Sequence, residues 1–178
     1  MTDTDDNAMV PIGAGDADAL SALCRAIYPQ FFLYLWDDAG AWYTEATYNA
    51  DTLRAEIADA NARFYFLEVD DGRRVGYLKL KLERDLDGEP GGLEIERIYL
   101  LREYTGQGLG ARMMSFALDI ARQLHRRYAW LHAMDSSLES IAFYERQGFT
   151  IVGETWLPFE RMLPEYRRMW KMRKPLDA

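Results

Sequence analysis

The segment YTGQGLGARMM, Tyr104 to Met114, sets Gly106, Gly108 and Gly110 at alternating positions ahead of a run with helical periodicity. Glycines at a helix start leave backbone N–H groups and the positive end of the helix dipole open to an anion, usually a phosphate. A nucleoside triphosphate loop needs GxxxxGK followed by Ser or Thr, whereas Gly110 is followed by Ala111, Arg112 and Met113. Gly106, Gly108 and Ala111 do fit the GxGxxG/A of a dinucleotide site, with Asp135 downstream. That fold requires a central strand before the glycines that is buried on both faces. LEIERIYLL, Leu93 to Leu101, instead carries Glu94, Glu96 and Arg97, which disfavours a nicotinamide-dependent oxidoreductase.

The elements that must hold this loop follow from periodicity. DADALSALCRAIY places Leu20, Leu23 and Ile27 on one helical face, and Pro29 ends the run. An irregular aromatic stretch follows, and Asp51 is placed to cap a second helix reaching about Ala62. FYFLEV, a DDGRR turn and VGYLKLKLE predict a hairpin, with Leu78, Leu80 and Leu82 alternating against Lys79 and Lys81. After the strand Leu93 to Leu101, the glycine loop opens a helix striped by Leu109, Met113, Phe116, Ile120 and Leu124. A short strand Ala129 to Met134, a helix from Leu138 to Gln147 capped by Gly148, and strands Thr150 to Leu157 and Met169 to Arg173 complete the chain. The expected class is α+β, a mixed, mostly antiparallel central sheet flanked by helices.

The chain has 178 residues, enough for one substantial core, and residues 1–178 are expected to form a single domain. Its net charge of -8 argues against nucleic acid and suits cationic partners. MTDTDDNAMVP has neither the basic start nor the apolar core of a secretory leader, and no apolar run is long enough to span a bilayer. A cytoplasmic protein without membrane association is expected. Cys24 is the single cysteine and is expected to be a small buried helix residue. His125 and His132 lack partners at metal-ligand spacing, so no metal is expected.

Three pieces need one explanation: the glycine loop, the carboxylates on the strand leading into it, and Phe143-Tyr144 in SIAFYERQGF. ERIYLLREYTGQGLG followed by AFYERQGF resembles the GNAT superfamily of acetyl-coenzyme A-dependent N-acetyltransferases. The aromatic stretch, GYLKLKL and ERIYLL are similar to its bacterial spermidine/spermine N-acetyltransferase branch, so the resemblance covers most of the chain.

The resemblance implies acetyl-CoA as co-substrate, with its phosphates on the amides of Gly106, Gln107, Gly108, Leu109, Gly110 and Ala111. Thr105 stands where the family usually has Gln or Arg, and Arg102 and Arg112 are nearby cations. Ile98, Tyr99 and Leu100 match the strand segment that pairs with the pantetheine arm. Ser137 occupies a helix-start position where the family often has Asn. Glu96 matches a strand glutamate that draws a proton from the acceptor ammonium, with Glu94 or water as alternatives. Tyr144 matches the tyrosine that protonates the departing thiolate. The acceptor implied is a small cationic amine or polyamine, selected by Tyr28, Phe31, Phe32, Tyr34, Trp36, Trp42 and Tyr43 with Asp37, Asp38 and Glu45 between them. A peptide N-terminus, an antibiotic amine, or a non-catalytic CoA-binding module on the same fold remain open, and a homodimer is compatible with the resemblance.

Overall fold

The computed structural model describes residues 7–70 and 72–176. The N-terminal residues 1–6, on which most of the leader reading rests, and Asp71 of the DDGRR turn lie outside the described residues. Seven strands form one sheet in the order β1-β2-β3-β4-β5-β7-β6. They are β1 (Ala8–Pro11), β2 (Ala62–Val69), β3 (Arg73–Lys81), β4 (Gly92–Leu100), β5 (Tyr128–Met134), β6 (Thr150–Trp156) and β7 (Arg168–Pro175). Every neighbouring pair is antiparallel except β4 and β5. That one parallel pair is joined by helix α4 (Leu109–Gln123), because a parallel connection needs a crossover.

Helices cover both faces. On one side lie α4 and α5 (Leu138–Arg146); Met113, Met114, Ala117 and Ala121 are buried against Leu78, Leu80, Leu93, Ile95 and Leu131. On the other lie α1 (Ala17–Ile27), α2 (Ala41–Tyr48) and α3 (Ala50–Ile57), whose Leu20, Ile27, Tyr48 and Leu53 meet Phe64, Phe66 and Tyr77. The stripe expected on α4 is half right: Leu109 and Met113 are core, Phe116 and Ile120 are half-buried, and Leu124 is exposed just past the helix end.

Three local readings change. Asn49, not Asp51, caps α3: its side chain accepts from Thr52 N at 2.8 Å, and Asp51 sits within the first turn paired with Arg54. That helix ends at Ile57, and Ala62 already begins β2. The aromatic stretch contains α2, whose aromatic residues do not gather into one stripe. Cys24 is buried in α1 as expected, and burial pushes its thiol up to about 11.

Candidate active site

β4 and β5 pair over only three residues, Gly92 to Glu94 against Tyr128 to Trp130, and then part. Beyond Glu94 one edge of β4 stays on β3 while the other opens into a fork. Leu101 N donates to Val75 O at 2.9 Å, so with strand alternation the N–H groups of Arg97 and Tyr99 also point to β3. Those of Ile98 and Leu100 therefore point into the fork. Ile98, Tyr99 and Leu100 are each half-exposed there, in a strand otherwise mostly buried.

The fork ends at the glycine loop. Gly106 and Gly108 have φ of +74° and +82°, a left-handed backbone that glycine adopts at no steric cost. A side chain at either would meet nothing within 4 Å, so both open outward. Gly108 is the N-cap of α4, and among the described residues the N–H groups of Gln107, Leu109, Gly110 and Ala111 have no backbone acceptor. Gly110 lies inside the helix rather than ahead of it. A Cβ there would sit 3.5 Å from the Phe143 ring and 3.9 Å from Leu100, so the loop, α5 and the end of β4 converge at this point.

Side chains around the loop turn away from it. Thr105 Oγ1 donates to Arg102 O at 2.7 Å and Gln107 Nε2 to Glu103 O at 2.8 Å. Arg102 donates to Gln30 O with its guanidinium 4.4 Å from the Phe31 ring, and Arg112 donates to Asn7 O. The donors left without a backbone acceptor at the loop are thus its amides. Ser137 is the N-cap of α5 but makes no side-chain capping bond.

Tyr144 projects from α5 into the core on the α4 face, 9% exposed, with Phe143 and Phe149 rings at 5.4 and 6.3 Å. Its hydroxyl has no hydrogen-bond partner among the described residues. Burial of the ring pushes the phenol up to about 12, which keeps it protonated at neutral pH.

Glu96 lies where the register of β3 and β4 shifts: Lys79 faces Arg97 and Leu80 faces Ile95, which leaves Glu96 as the extra residue of a β-bulge. Its carboxylate is not free. Lys79 Nζ, on a side chain 3% exposed, donates to Glu96 at 2.6 Å and to Glu56 of α3 at 3.0 Å. Arg97 binds both oxygens of Glu56 at 2.8 and 3.1 Å and lies 3.8 Å from Glu96. The alternation in GYLKLKL had placed Lys79 on a polar face; that face is covered by α1 and α3, and a buried ammonium survives there because two carboxylates surround it. Burial raises the Glu56 carboxyl, but Arg97 and Lys79 outweigh it and hold the group below its usual value.

The aromatic stretch divides into two roles. Trp36 Nε1 donates to Tyr28 at 2.7 Å and its ring stacks on Tyr43 at 4.8 Å, all within the α1-side core. Asp37 and Asp38 face Arg161, and Glu45 pairs with Arg25, so these carboxylates serve surface pairs. Phe31, Phe32 and Tyr34 instead arch over the wide end of the fork: Phe32 meets Tyr99 edge-on at 5.6 Å, and Tyr34 Oη lies 2.8 Å from Ser136 Oγ beyond β5. Trp42 is exposed on the outside.

At the fork's closed end, a cavity of about 740 Å³ opens beside Trp130 and His132 of β5, walled by the β3–β4 connection. Among the described residues no group of three or more His, Cys, Asp or Glu could hold a metal, and no helix is long and apolar enough to cross a membrane.

The parallel strand pair forks beside an amide-lined helix start, and the mixed sheet with helices on both faces is the fold of a known class of acetyltransferases. The profile of the acetyltransferase (GNAT) family matches residues 22–149, and the chain belongs to that family. It is 38% identical over 116 residues to an uncharacterized N-acetyltransferase of Lactobacillus delbrueckii subsp. lactis, covering 64% of this chain and 66% of the relative, just under two thirds of that protein's length. It is 27% identical over 104 residues to the spermine/spermidine N(1)-acetyltransferase of Bacillus subtilis, covering 55% and 68% of the two chains. In fold it is similar to a Salmonella typhimurium acetyltransferase structure solved with its cofactor acetyl-CoA, with a TM-score of 0.73, 18% identity and coverage of 97% and 95%.

Proposed function

We propose that residues 1–178 form a single N-acetyltransferase domain that moves an acetyl group from acetyl-CoA to a small cationic primary amine, with polyamines first among candidates. The observation that carries this reading is the fork itself. The free N–H groups of Ile98 and Leu100 line one strand of it, the bare amides of residues 106–111 lie at its mouth, and a protonated Tyr144 stands at the junction. Those donors fit an extended amide-bearing arm ending in phosphates, and acetyl-CoA supplies the activated acetyl group.

Each residue then has a task. The loop amides hold the pyrophosphate, and the strand N–H groups hold the arm in register and face the carbonyl oxygen on which negative charge develops. Ser137, with its hydroxyl free of capping, faces the same ligand. Tyr144 gives its proton to the departing sulfur, a role suited to a phenol whose anion is disfavoured by burial. Glu96, fixed by Lys79, presents a carboxylate on the α1 face that draws the ammonium toward the fork. Phe31, Phe32 and Tyr34 give the acceptor aromatic faces as it enters. The net charge of -8 and the polyamine acetyltransferase relative support a cationic acceptor.

Calorimetry with acetyl-CoA and, separately, NAD, followed by thiol-release assays over a panel of amines, tests the reading. Acetyl-CoA should bind, NAD should not, and spermidine or spermine should turn over. Binding without turnover of any amine would make the chain a CoA-binding module, and turnover of neutral or anionic acceptors alone would remove the cationic-amine assignment.

A further inference from the structure

His132 is left without a role by the assignments above, and its position gives it one. Ala129, Leu131 and Ala133 pack into the α4-side core, so Trp130 and His132 point to the opposite face of β5, the face from which the acceptor would come. Leu93 and Ile95 fix Glu94 on that same face of β4 by the same alternation. Trp130 is the last β5 residue paired to β4, its partner being Glu94. His132 is therefore the first side chain on that face beyond the point where the strands separate. Its Nδ1 lies 3.4 Å from Glu94 Oε1, and its ring meets Trp130 edge-on at 5.0 Å. The imidazole also lines the cavity of about 740 Å³, which gives a proton a route to water.

We propose that His132, held by Glu94 at the apex of the fork, takes the proton from the incoming ammonium. The inference rests on the acetyltransferase reading and deepens it. Glu96 is already engaged, its carboxylate 2.6 Å from Lys79 and 3.8 Å from Arg97. His132 has no such constraint. The charged groups facing it are Glu94, Arg84 at 3.8 Å from the other oxygen of Glu94, and Lys171 of β7, its register partner, which is tied to Asp87 at 2.5 Å. Glu94 Oε1, 3.4 Å from Nδ1, favours the proton on that nitrogen, which would leave the lone pair of Nε2 free.

The balance of the step is simple. The ammonium N–H bond breaks and its proton goes to Nε2 of His132, directly or through one water. The freed amine pair forms the C–N bond, and Tyr144 protonates the sulfur that takes the C–S pair. The second proton lost by nitrogen restores Tyr144, and His132 releases its proton to solvent, so one proton leaves per acetyl group moved.

Two measurements decide it. With only two histidines in the chain, ring ¹⁵N spectra are assigned by one substitution, and neutral His132 should carry its proton on Nδ1, a preference that Glu94→Ala should abolish. His132→Ala should keep acetyl-CoA affinity but lower turnover of spermidine about a hundredfold, and free imidazole, which the adjacent cavity can admit, should restore part of it. His132→Asn serves as a second variant if the alanine form loses acetyl-CoA binding. A proton on Nε2, wild-type turnover in either substituted protein, or lost turnover that imidazole does not restore would overturn the inference while leaving the acetyltransferase reading intact. If the wild-type chain transfers to no amine, both fall together.

Discussion

Replacing Tyr144 by Phe removes one oxygen and nothing else from the junction of the fork. The ring contacts with Phe143 and Phe149 remain, and the hydroxyl makes no hydrogen bond among the described residues, so stability should change by no more than about 0.5 kcal/mol. Burial lifts the phenol from 10.0 to about 12, because the phenolate is poorly solvated there. The protonated form therefore dominates across the range in which the protein can be assayed, and activity that depends on it is lost only as pH rises through about 12. Removal of a positioned acid should lower the rate of acetyl transfer about ten- to a thousand-fold, or about 1.4 to 4 kcal/mol in the barrier. Affinity for acetyl-CoA should stay within about twofold, less than 0.5 kcal/mol. The assay is thiol release in a single turnover, where chemistry is observed apart from product release, with calorimetry on the same sample. A Tyr144→Phe protein that transfers at the wild-type rate in that assay would show that the hydroxyl takes no part in the reaction.

The glycine loop makes a paired prediction: Gly108→Val forces a side chain into a left-handed backbone, at about 1–2 kcal/mol, and into the space over the amides, and should abolish acetyl-CoA binding in calorimetry. Gly110→Ala adds a methyl at ordinary contact distance from Phe143 and should still bind; equal affinities for the two variants would refute the amide cradle. Glu56→Gln breaks a buried ion network and should cost about 3 kcal/mol or more at neutral pH by denaturant unfolding. Because the folded carboxyl lies below its ordinary 4.5, its stabilisation is complete above that value and is lost as pH falls through the folded value. The gap between wild type and variant should therefore close on acidification, and a gap that widens would contradict the assignment.

Period-two and helical patterning placed the large elements, and the glycine spacing located the loop, because these signals are local. What escaped depends on contacts between distant segments. β1 is four residues long and is defined by its pairing with β2, which no pattern within AMVP announces. Lys79 alternates with leucines and reads as solvated until α3 supplies Glu56 from elsewhere in the chain. The bulge at Glu96 is a mismatch between two strands, so neither strand's residues reveal it; it also turns Ile98 and Leu100 onto the α4 face. His132 reads in the sequence as a lone histidine without metal-ligand spacing, since Glu94 becomes its neighbour only through strand pairing.

The fork also divides the sheet mechanically. β1 to β4 form one block, β5, β7 and β6 another, and only three residue pairs at one end of β4 and β5 join them. Along β4, consecutive amides therefore belong to different environments: those of Arg97 and Tyr99 are locked to β3, while those of Ile98 and Leu100 are not. Hydrogen exchange should read this strand as a checkerboard, slow and fast sites alternating residue by residue. Opening and closing of the two blocks about their short seam would modulate the fast sites alone.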